Sequence, residues 1–249
     1  MSLKFRVVRE TSVISTNDSV RRLAIEGEPE GFVAVARTQT GGRGRLGNAW
    51  SSPPGGLYMS ILLRPKLRPD AALGMTVFSC APIGRAIEKL TGIKIGLKWP
   101  NDLEIDGRKV GGILVEGAST GGGLDFAILG IGINANTEPP NDEAPNAISI
   151  RSILGRQVDL DELSHAILTE FEAFYDGLKD GSLREEYVRR SSVLGRRVEL
   201  SSESEAIKGT ATGIGESGSL LLRADDGQEI EILSATGVSL RVSGRGGGA

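Results

Sequence analysis

Residues 38–50 read TQTGGRGRLGNAW, and within them Gly42-Arg43-Gly44-Arg45-Leu46-Gly47 spells GxGxxG. Whether that spelling is a dinucleotide-binding turn decides between a parallel, doubly wound sheet and a different architecture. The fingerprint needs a strand, a glycine turn, a helix that opens at the turn, and an acid about 20 residues on. The strand is present: GFVAVAR, residues 31–37, alternates and is rich in β-branched residues. The helix is absent, because Gly47 is followed by NAWSSPPGG. The next acid, Asp70, comes only after a second strand, LYMSILL at 57–63. A P-loop would need Gly-Lys-Ser/Thr, and the stretch has none. What remains is a long loop with two arginines and a tryptophan. Glycines let backbone N–H groups approach an anion. Arg43 and Arg45 can each grip phosphate or carboxylate with two parallel hydrogen bonds, and Trp50 offers a face for stacking. Loops of this length are usually functional or disordered, and a Gly/Arg loop taken alone is more often a solvated one.

The chain of 249 residues fits one large domain or a large one plus a small one. Its 29 basic and 32 acidic residues give a net charge of −3, which argues against bulk nucleic-acid binding. A single cysteine, Cys80, rules out an intramolecular disulfide and fits a reducing compartment. With one histidine, His165, no His/Cys metal site can form, so a metal would need oxygen ligands, often with a substrate phosphate. MSLKFRVVRE lacks the apolar core of a signal peptide. No run reaches the ~20 apolar residues of a membrane helix. The expectation is a cytoplasmic protein without membrane contact.

Residues 15–27, STNDSVRRLAIEG, predict a helix with its N-cap at Ser15, Thr16 or Asn17 and its end at Gly27. Residues 70–91 predict helix, with Pro82 imposing a kink or a division into two. IKIGLKW, 93–99, reads as a strand stopped before Pro100. LEIDGRKV, 103–110, reads as a hairpin turning at Asp106-Gly107, extended by GGILVEGA. LDFAILGIGINAN, 124–136, is an apolar strand buried on both faces. A surface loop over 137–147 precedes helices at 159–178 and 182–192. From about Gly195 short strands alternate with glycine turns, as in a small all-β barrel.

Three segments bear on the arginine loop. In LKWPNDLEIDGRKVGGILVE, a two-residue turn pairs Glu104 with Lys109 and Asp102 with Gly111, placing Asp102 and Lys109 diagonally, roughly 7–8 Å apart. Lys109 is then either a cross-strand ion pair with Glu104 or a lysine poised beside a carboxylate, with Gly111 and Gly112 leaving room for a ligand. GIGINAN, 130–136, again puts glycines in a buried strand, followed by the bidentate Asn134. STND, 15–18, is either an ordinary helix cap or part of a polar pocket.

Taken in order, Ser-Thr-Asn, Gln-x-x-Gly-Arg-Gly-Arg-x-Gly-x-x-Trp, Lys-Trp-Pro-Asn-Asp, Lys-x-x-Gly-Ile-Leu-x-Glu and Gly-x-Gly-Ile-Asn strongly resemble the biotin protein ligases, the biotin–[acetyl-CoA-carboxylase] ligases. These motifs span about 15–136, and the β-rich tail resembles the family's small C-terminal domain. The resemblance implies an α+β fold: a mixed, mainly antiparallel sheet related to class II synthetases, followed by an SH3-like β-barrel. It implies a catalytic biotin/ATP-binding domain over 1–193, the SH3-like domain over 194–243 and a disordered tail over 244–249. The implied reaction joins biotin to ATP as biotinyl-5′-AMP. It then passes biotin to a lysine of a biotin carboxyl carrier protein, with Mg²⁺ accompanying ATP.

By the same resemblance Lys109 is the catalytic lysine, contacting the biotin carboxylate and the α-phosphate. Arg43 and Arg45 hold anionic oxygens as a mobile loop closes and orders on its ligand. Asp102 partners the incoming amine or a Mg²⁺-organised phosphate. Ser15, Thr16, Asn17 and Gln39 line the biotin pocket, with Gly42 and Gly112 as close-approach positions. Trp50 stacks on adenine, with Asn101 and Asn134 as nucleotide contacts. A homodimer, no nucleic-acid partner and no N-terminal DNA-binding domain are expected. Two departures stand out: Leu46 replaces a basic residue common in the family, and Gly237 replaces an acidic one. A lipoate-protein ligase and a non-catalytic biotin or nucleotide sensor are the rival readings. KWPND with RKVGGILVE separates the first, and the intact Lys109, Arg43 and Arg45 the second.

Overall fold

The computed structural model describes residues 3–65, 72–120, 123–139, 146–177, 182–201, 206–233 and 239–242. A seven-stranded sheet is built from β1 (Arg6–Val13), β2 (Phe32–Gln39), β3 (Leu57–Leu63), β4 (Gly96–Lys98), β5 (Asp102–Ile105), β6 (Arg108–Thr120) and β7 (Gly123–Ile133). Its order is β1-β2-β3-β7-β6-β5-β4; β1 and β2 run parallel and every other ladder is antiparallel. The fold is therefore mixed α+β with a mainly antiparallel sheet, and no doubly wound crossover surrounds the GxGxxG spelling.

Both faces of this sheet are covered, which is why β3 is buried along its whole length. On one face Met59, Ile61 and Leu63 of β3 and Leu129, Ile131 and Ile133 of β7 join the main core. That core also takes in α2 (Ala72–Phe78), α3 (Cys80–Thr91) and α5 (Leu160–Phe174). On the other face, Leu62, Phe126 and Ile128 pack with Val20 and Ala24 of α1 (Thr16–Ile25). The period-2 alternation of strands thus sorts one sequence run into two cores. Arg64 fastens the far end of α1 by donating to the carbonyls of Ala24 and Glu28 at 2.8 and 2.9 Å. Such bonds satisfy carbonyls left open at a helix C-terminus.

Two further short helices are α4 (Ile150–Leu154) and α6 (Leu183–Arg190). A five-stranded antiparallel sheet follows, in the order β11-β10-β9-β8-β12. Its strands are β8 (Arg197–Ser201), β9 (Ala206–Ile214), β10 (Leu220–Ala224), β11 (Glu229–Ile232) and β12 (Ser239–Val242). It is joined to the large unit by Trp99, whose buried indole Nε1 donates to the Gly218 carbonyl at 2.9 Å. Gly237 and residues 243–249 lie outside the described residues.

Of the helix expected over 70–91, residues 70 and 71 lie outside the described residues and the rest divides into two helices at Ser79; Pro82 falls in the first turn of α3, where its missing N–H costs nothing. Asp106 and Gly107 take φ of 50° and 78°, as a type I′ turn requires. The strand expected over 93–99 is only Gly96–Lys98, because Gly92 caps α3 in the left-handed region and Ile95 N–H donates to Glu88. Asp102 pairs with Gly112 rather than with Gly111. A register shift between Leu103 and Glu104 inserts Val110 as an extra residue, which a count from the turn does not reveal. The 137–147 segment is more than a surface loop: Lys109 N–H donates to Asn146 O and Ile148 N–H to Lys109 O. Residues 140–145 of it lie outside the described residues. Among the described residues no helix is long and apolar enough to cross a membrane.

Candidate active site

Beyond the part covered by α1, the α1-side face of the sheet loses its side chains. Gly130 and Gly132 of β7 stand beside Ser60 and Tyr58 of β3, and Gly132 faces Gly112 of β6. These glycines form the floor of a cavity of about 260 Å³. A Cβ on Gly130 would stand 2.4 Å from Asn17 Oδ1, and one on Gly132 would stand 2.6 Å from the Trp50 indole. Glycine is needed at both positions because neighbours approach the bare backbone.

The α1 N-terminus supplies one wall. Ser15 is its N-cap residue but makes no side-chain capping bond. Gln39 caps the helix instead, its Oε1 accepting from Thr16 N–H at 2.8 Å and from Thr16 Oγ1 at 3.1 Å. Gln39 Nε2 donates to Ser52 Oγ at 2.9 Å. The wholly buried Ser60 hydroxyl lies 2.7 Å from Thr16 Oγ1 and donates to Asn17 Oδ1 at 2.6 Å. Asn17 Nδ2 then donates to Glu116 at 2.6 Å. This chain fixes the amide orientations of both Gln39 and Asn17, as a buried polar network must.

The 40–50 loop is a small hairpin that supplies the second wall. Trp50 N–H donates to Gly42 O, Gly44 N–H to Asn48 O, and Arg43 bridges Ala49. Leu46 and Gly47 turn the tip with φ of 59° and 74°. Gly42 does not line the cavity; a Cβ there would meet Trp50 O, Ser52 Oγ and Gln39 Nε2 within 3 Å, so it closes the hairpin base. Arg43 pairs with Asp18. Arg45 donates from Nη1 to Asn101 Oδ1 at 3.0 Å, and burial pushes its guanidinium pKa down against the opposing pull of Asp102. Asn101 is itself held by Ile113, whose O accepts from Asn101 Nδ2 at 2.9 Å.

The third wall carries Lys109. Its ammonium stands 2.5 Å from Asp102 Oδ1 and 5.4 Å from the centroid of the Trp50 ring. The alternative partner is engaged elsewhere: Glu104 is buried, accepts from Ser192 Oγ at 3.0 Å and lies 3.6 Å from Lys98 Nζ. Lys109 stays opposite Glu104 in the register, but its ammonium pairs with Asp102. Trp50 and Lys109 also line a second cavity of about 170 Å³, together with Asn134 and Thr137. Trp50 Nε1 and Thr137 Oγ1 are buried without a hydrogen-bond partner among the described residues.

Of the residues singled out by sequence, Ser15, Thr16, Asn17 and Gln39 come together at the first wall. Arg43, Arg45 and Trp50 stand at the second; Asn101, Asp102, Lys109 and Gly112 stand at the third and the floor. Asn134 falls in the second cavity and Gly42 in neither. Sequence reasoning passed over Ser60 and Thr137; Asp18 stood within STND and Glu116 within the Lys-x-x-Gly-Ile-Leu-x-Glu motif, but neither was given a role of its own. A lone serine in the apolar run LYMSILL was a usable signal, as was a glutamate closing the apolar run GGILVE. Ser239 and Leu240 of the small sheet also reach the main cavity. Among the described residues, no group of three or more His, Cys, Asp or Glu could hold a metal ion.

Residues 10–134 match the Biotin/lipoate A/B protein ligase family, and residues 193–241 match the Biotin protein ligase C terminal domain. The bifunctional ligase/repressor BirA of Bacillus subtilis is 33% identical over 222 residues, covering 86% of this chain and 68% of that protein. The biotin--[acetyl-CoA-carboxylase] ligase of Mycobacterium tuberculosis is 30% identical over 238 residues, covering 92% and 86%. The biotin protein ligase from Aquifex aeolicus, solved in complex with biotin and ATP, superposes with a TM-score of 0.82 at 34% identity, covering 96% and 99%. The site motifs read from sequence fall within the first match or end at its edge, and the five-stranded sheet falls largely within the second. The chain belongs to the biotin protein ligases of the Biotin/lipoate A/B protein ligase family.

Proposed function

We propose that this protein activates biotin with ATP and transfers it to a lysine of a biotin carboxyl carrier protein. The observation that carries the reading is Lys109: a cation paired with Asp102, between two cavities that share Trp50 as a partition. The main cavity would take biotin and the second one adenosine, which brings the carboxylate and the α-phosphate together near Lys109. In the first step a carboxylate oxygen attacks the α-phosphorus and pyrophosphate leaves. Attack of one anion on another needs positive charge where they meet, and Lys109 and Arg45 supply it. In the second step the carrier lysine's neutral amine attacks the mixed anhydride, AMP leaves with the bonding pair, and an amide forms. Asp102 would accept the proton that the amine gives up.

In this reading Trp50 stacks on adenine and Asn134 meets its edge. Ser15 and the backbone around Gly112 contact biotin, while Thr16, Asn17 and Gln39 hold the pocket's shape. Mg²⁺ would bind chiefly through phosphate oxygens and waters and would offset phosphate charge. Edge-to-edge pairing of the large sheet into a homodimer belongs to the same reading and is checked by light scattering. The functional test is ATP–pyrophosphate exchange dependent on biotin, followed by labelling of a carrier domain. Exchange with lipoate or octanoate but not with biotin would overturn the proposal.

A further inference from the structure

Arg43 was expected to face an anionic ligand, yet it faces two carboxylates of its own chain. Its Nη1 donates to Asp18 Oδ2 at 2.9 Å and its Nη2 to Asp18 Oδ1 at 2.6 Å, with Glu116 Oε2 3.6 Å away. The forked edge that would hold a phosphate is therefore turned to Asp18. Glu116 also accepts from Asn17 and lies 3.4 Å from Arg21 Nη2. Two guanidinium groups and two carboxylates balance in one cluster, which ties together α1, β6 and the loop. Arg43 holds the Asp18 carboxyl below its ordinary range, and Asp18 raises Arg43 in turn, so both stay charged near neutral pH.

Beyond its foot, where Gly41 N–H donates to Ile14 O at 2.8 Å, three contacts hold the loop. Its base is closed by the Gly42–Trp50 bond, its tip by Arg45 on Asn101, and its α1 side by Arg43 on Asp18 and Glu116. The base bond lies within the hairpin and moves with it. The other two cross to separate elements and must break for the loop to lift. The Arg43 pair is about two-fifths exposed, with side-chain values of 38% for Arg43 and 42% for Asp18. A bidentate pair at that depth is strong enough to hold a loop and weak enough to open.

We propose that Asp18 and Glu116 are positioning residues that clamp Arg43, and with it residues 41–50, over the main cavity, and that release of this clamp sets how fast a bound intermediate escapes. The identity of that intermediate, biotinyl-5′-AMP, rests on the proposed function; the clamp itself does not. A reactive anhydride has to be kept from water until the acceptor amine arrives, which gives the clamp its purpose.

Two measurements on the full chain separate these points. Limited trypsin digestion reads loop opening as cleavage after Arg45 and requires no ligase activity. Asp18→Ala should be nicked about tenfold faster than wild type, Glu116→Gln about threefold faster, and Asp18→Glu near the wild-type rate. Adenylate formed from biotin and ATP without carrier should leave Asp18→Ala about tenfold faster, with Asp18→Glu restoring retention. Nicking at the wild-type rate in both Asp18→Ala and Glu116→Gln overturns the clamp. Faster nicking with unchanged adenylate loss overturns its role in retention. If wild type forms no adenylate, the proposed function fails, and the trypsin result alone decides the clamp. Should Asp18→Ala not fold, Glu116→Gln carries both measurements.

Discussion

One face of the large sheet has two halves that share strands and register but differ in what covers them. Under the body of α1, Leu62, Phe126 and Ile128 pack against Val20 and Ala24. One pleat further along the same strands, the face presents Ser60, Gly130 and Gly132, and the polar first turn of α1 and the Trp50 indole reach over it. Removing side-chain volume while keeping the backbone regular turns a core into a cavity. The apolar half should therefore respond to mutation in stability, and the glycine half in ligand handling.

The sharpest way to break that division lies on the glycine half. Lys109→Ala should lower biotin-dependent pyrophosphate exchange about 10²–10³-fold, the usual loss when a group that stabilises transition-state charge is removed. The melting temperature should hold, because Lys109 is part-exposed and pairs at the cavity edge. A large drop in melting temperature, or unchanged exchange, would return Lys109 to a structural ion pair. On the apolar half, Ile128→Ala opens a hole at a fully buried position and should cost about 2–5 kcal/mol in denaturant unfolding. The Michaelis constants for biotin and ATP should stay near wild type. A change in either would mean that the two halves are coupled.

Gly130→Ala probes the boundary between the halves and should have a smaller effect. Its new Cβ would press on Asn17, which cannot easily yield because Ser60 and Glu116 already hold its amide. Overpacking of this kind costs roughly 1–3 kcal/mol. The strain falls on a cavity wall, so the Michaelis constant for biotin should rise with it. A loss of stability with an unaltered constant would place Asn17 outside the biotin site.

The two halves were also unequally legible in the sequence. β3 and β7 announce themselves as apolar runs, and the glycines within them signal close approach, so the floor of the site could be read directly. β1 passed unread because it is a half-exposed edge strand carrying Arg6, Arg9 and Glu10, whose pattern does not alternate cleanly. The Lys109–Asp102 pair could be read only as one of two options, since the register sets Lys109 opposite Glu104 and only the side chains show that Asp102 takes its ammonium. Gln39 capping α1 joins residues 23 apart, and Asn17 on Glu116 joins residues 99 apart. Local pattern carries no information on such contacts. Residue type alone marked Arg43 as an anion-gripping side chain, but only its neighbours show that two carboxylates meet it first.

The smallest effect expected is one of acidity at the rim of the glycine half. Asp18 has its carboxyl pKa lowered in the folded chain, chiefly by the hydrogen bond from Arg43, with burial opposing and the charges of Arg43 and Arg21 assisting. A lowered folded value means that the clamp's contribution is fully present above the unfolded carboxylate pKa. It is lost as pH falls through the lowered folded one. The gap in melting temperature between wild type and Asp18→Ala should therefore be flat from about pH 5 to pH 8 and should close only below about pH 4. Glu116 and Arg21 face the same cluster, so Asp18→Ala is compared with wild type at each pH to isolate the Asp18 contribution. A gap that closes between pH 5 and pH 7 would mean that Arg43 does not hold the Asp18 charge in solution. The α1 side of the loop would then be loose, and its hold would shift to the Arg45 side, on Asn101.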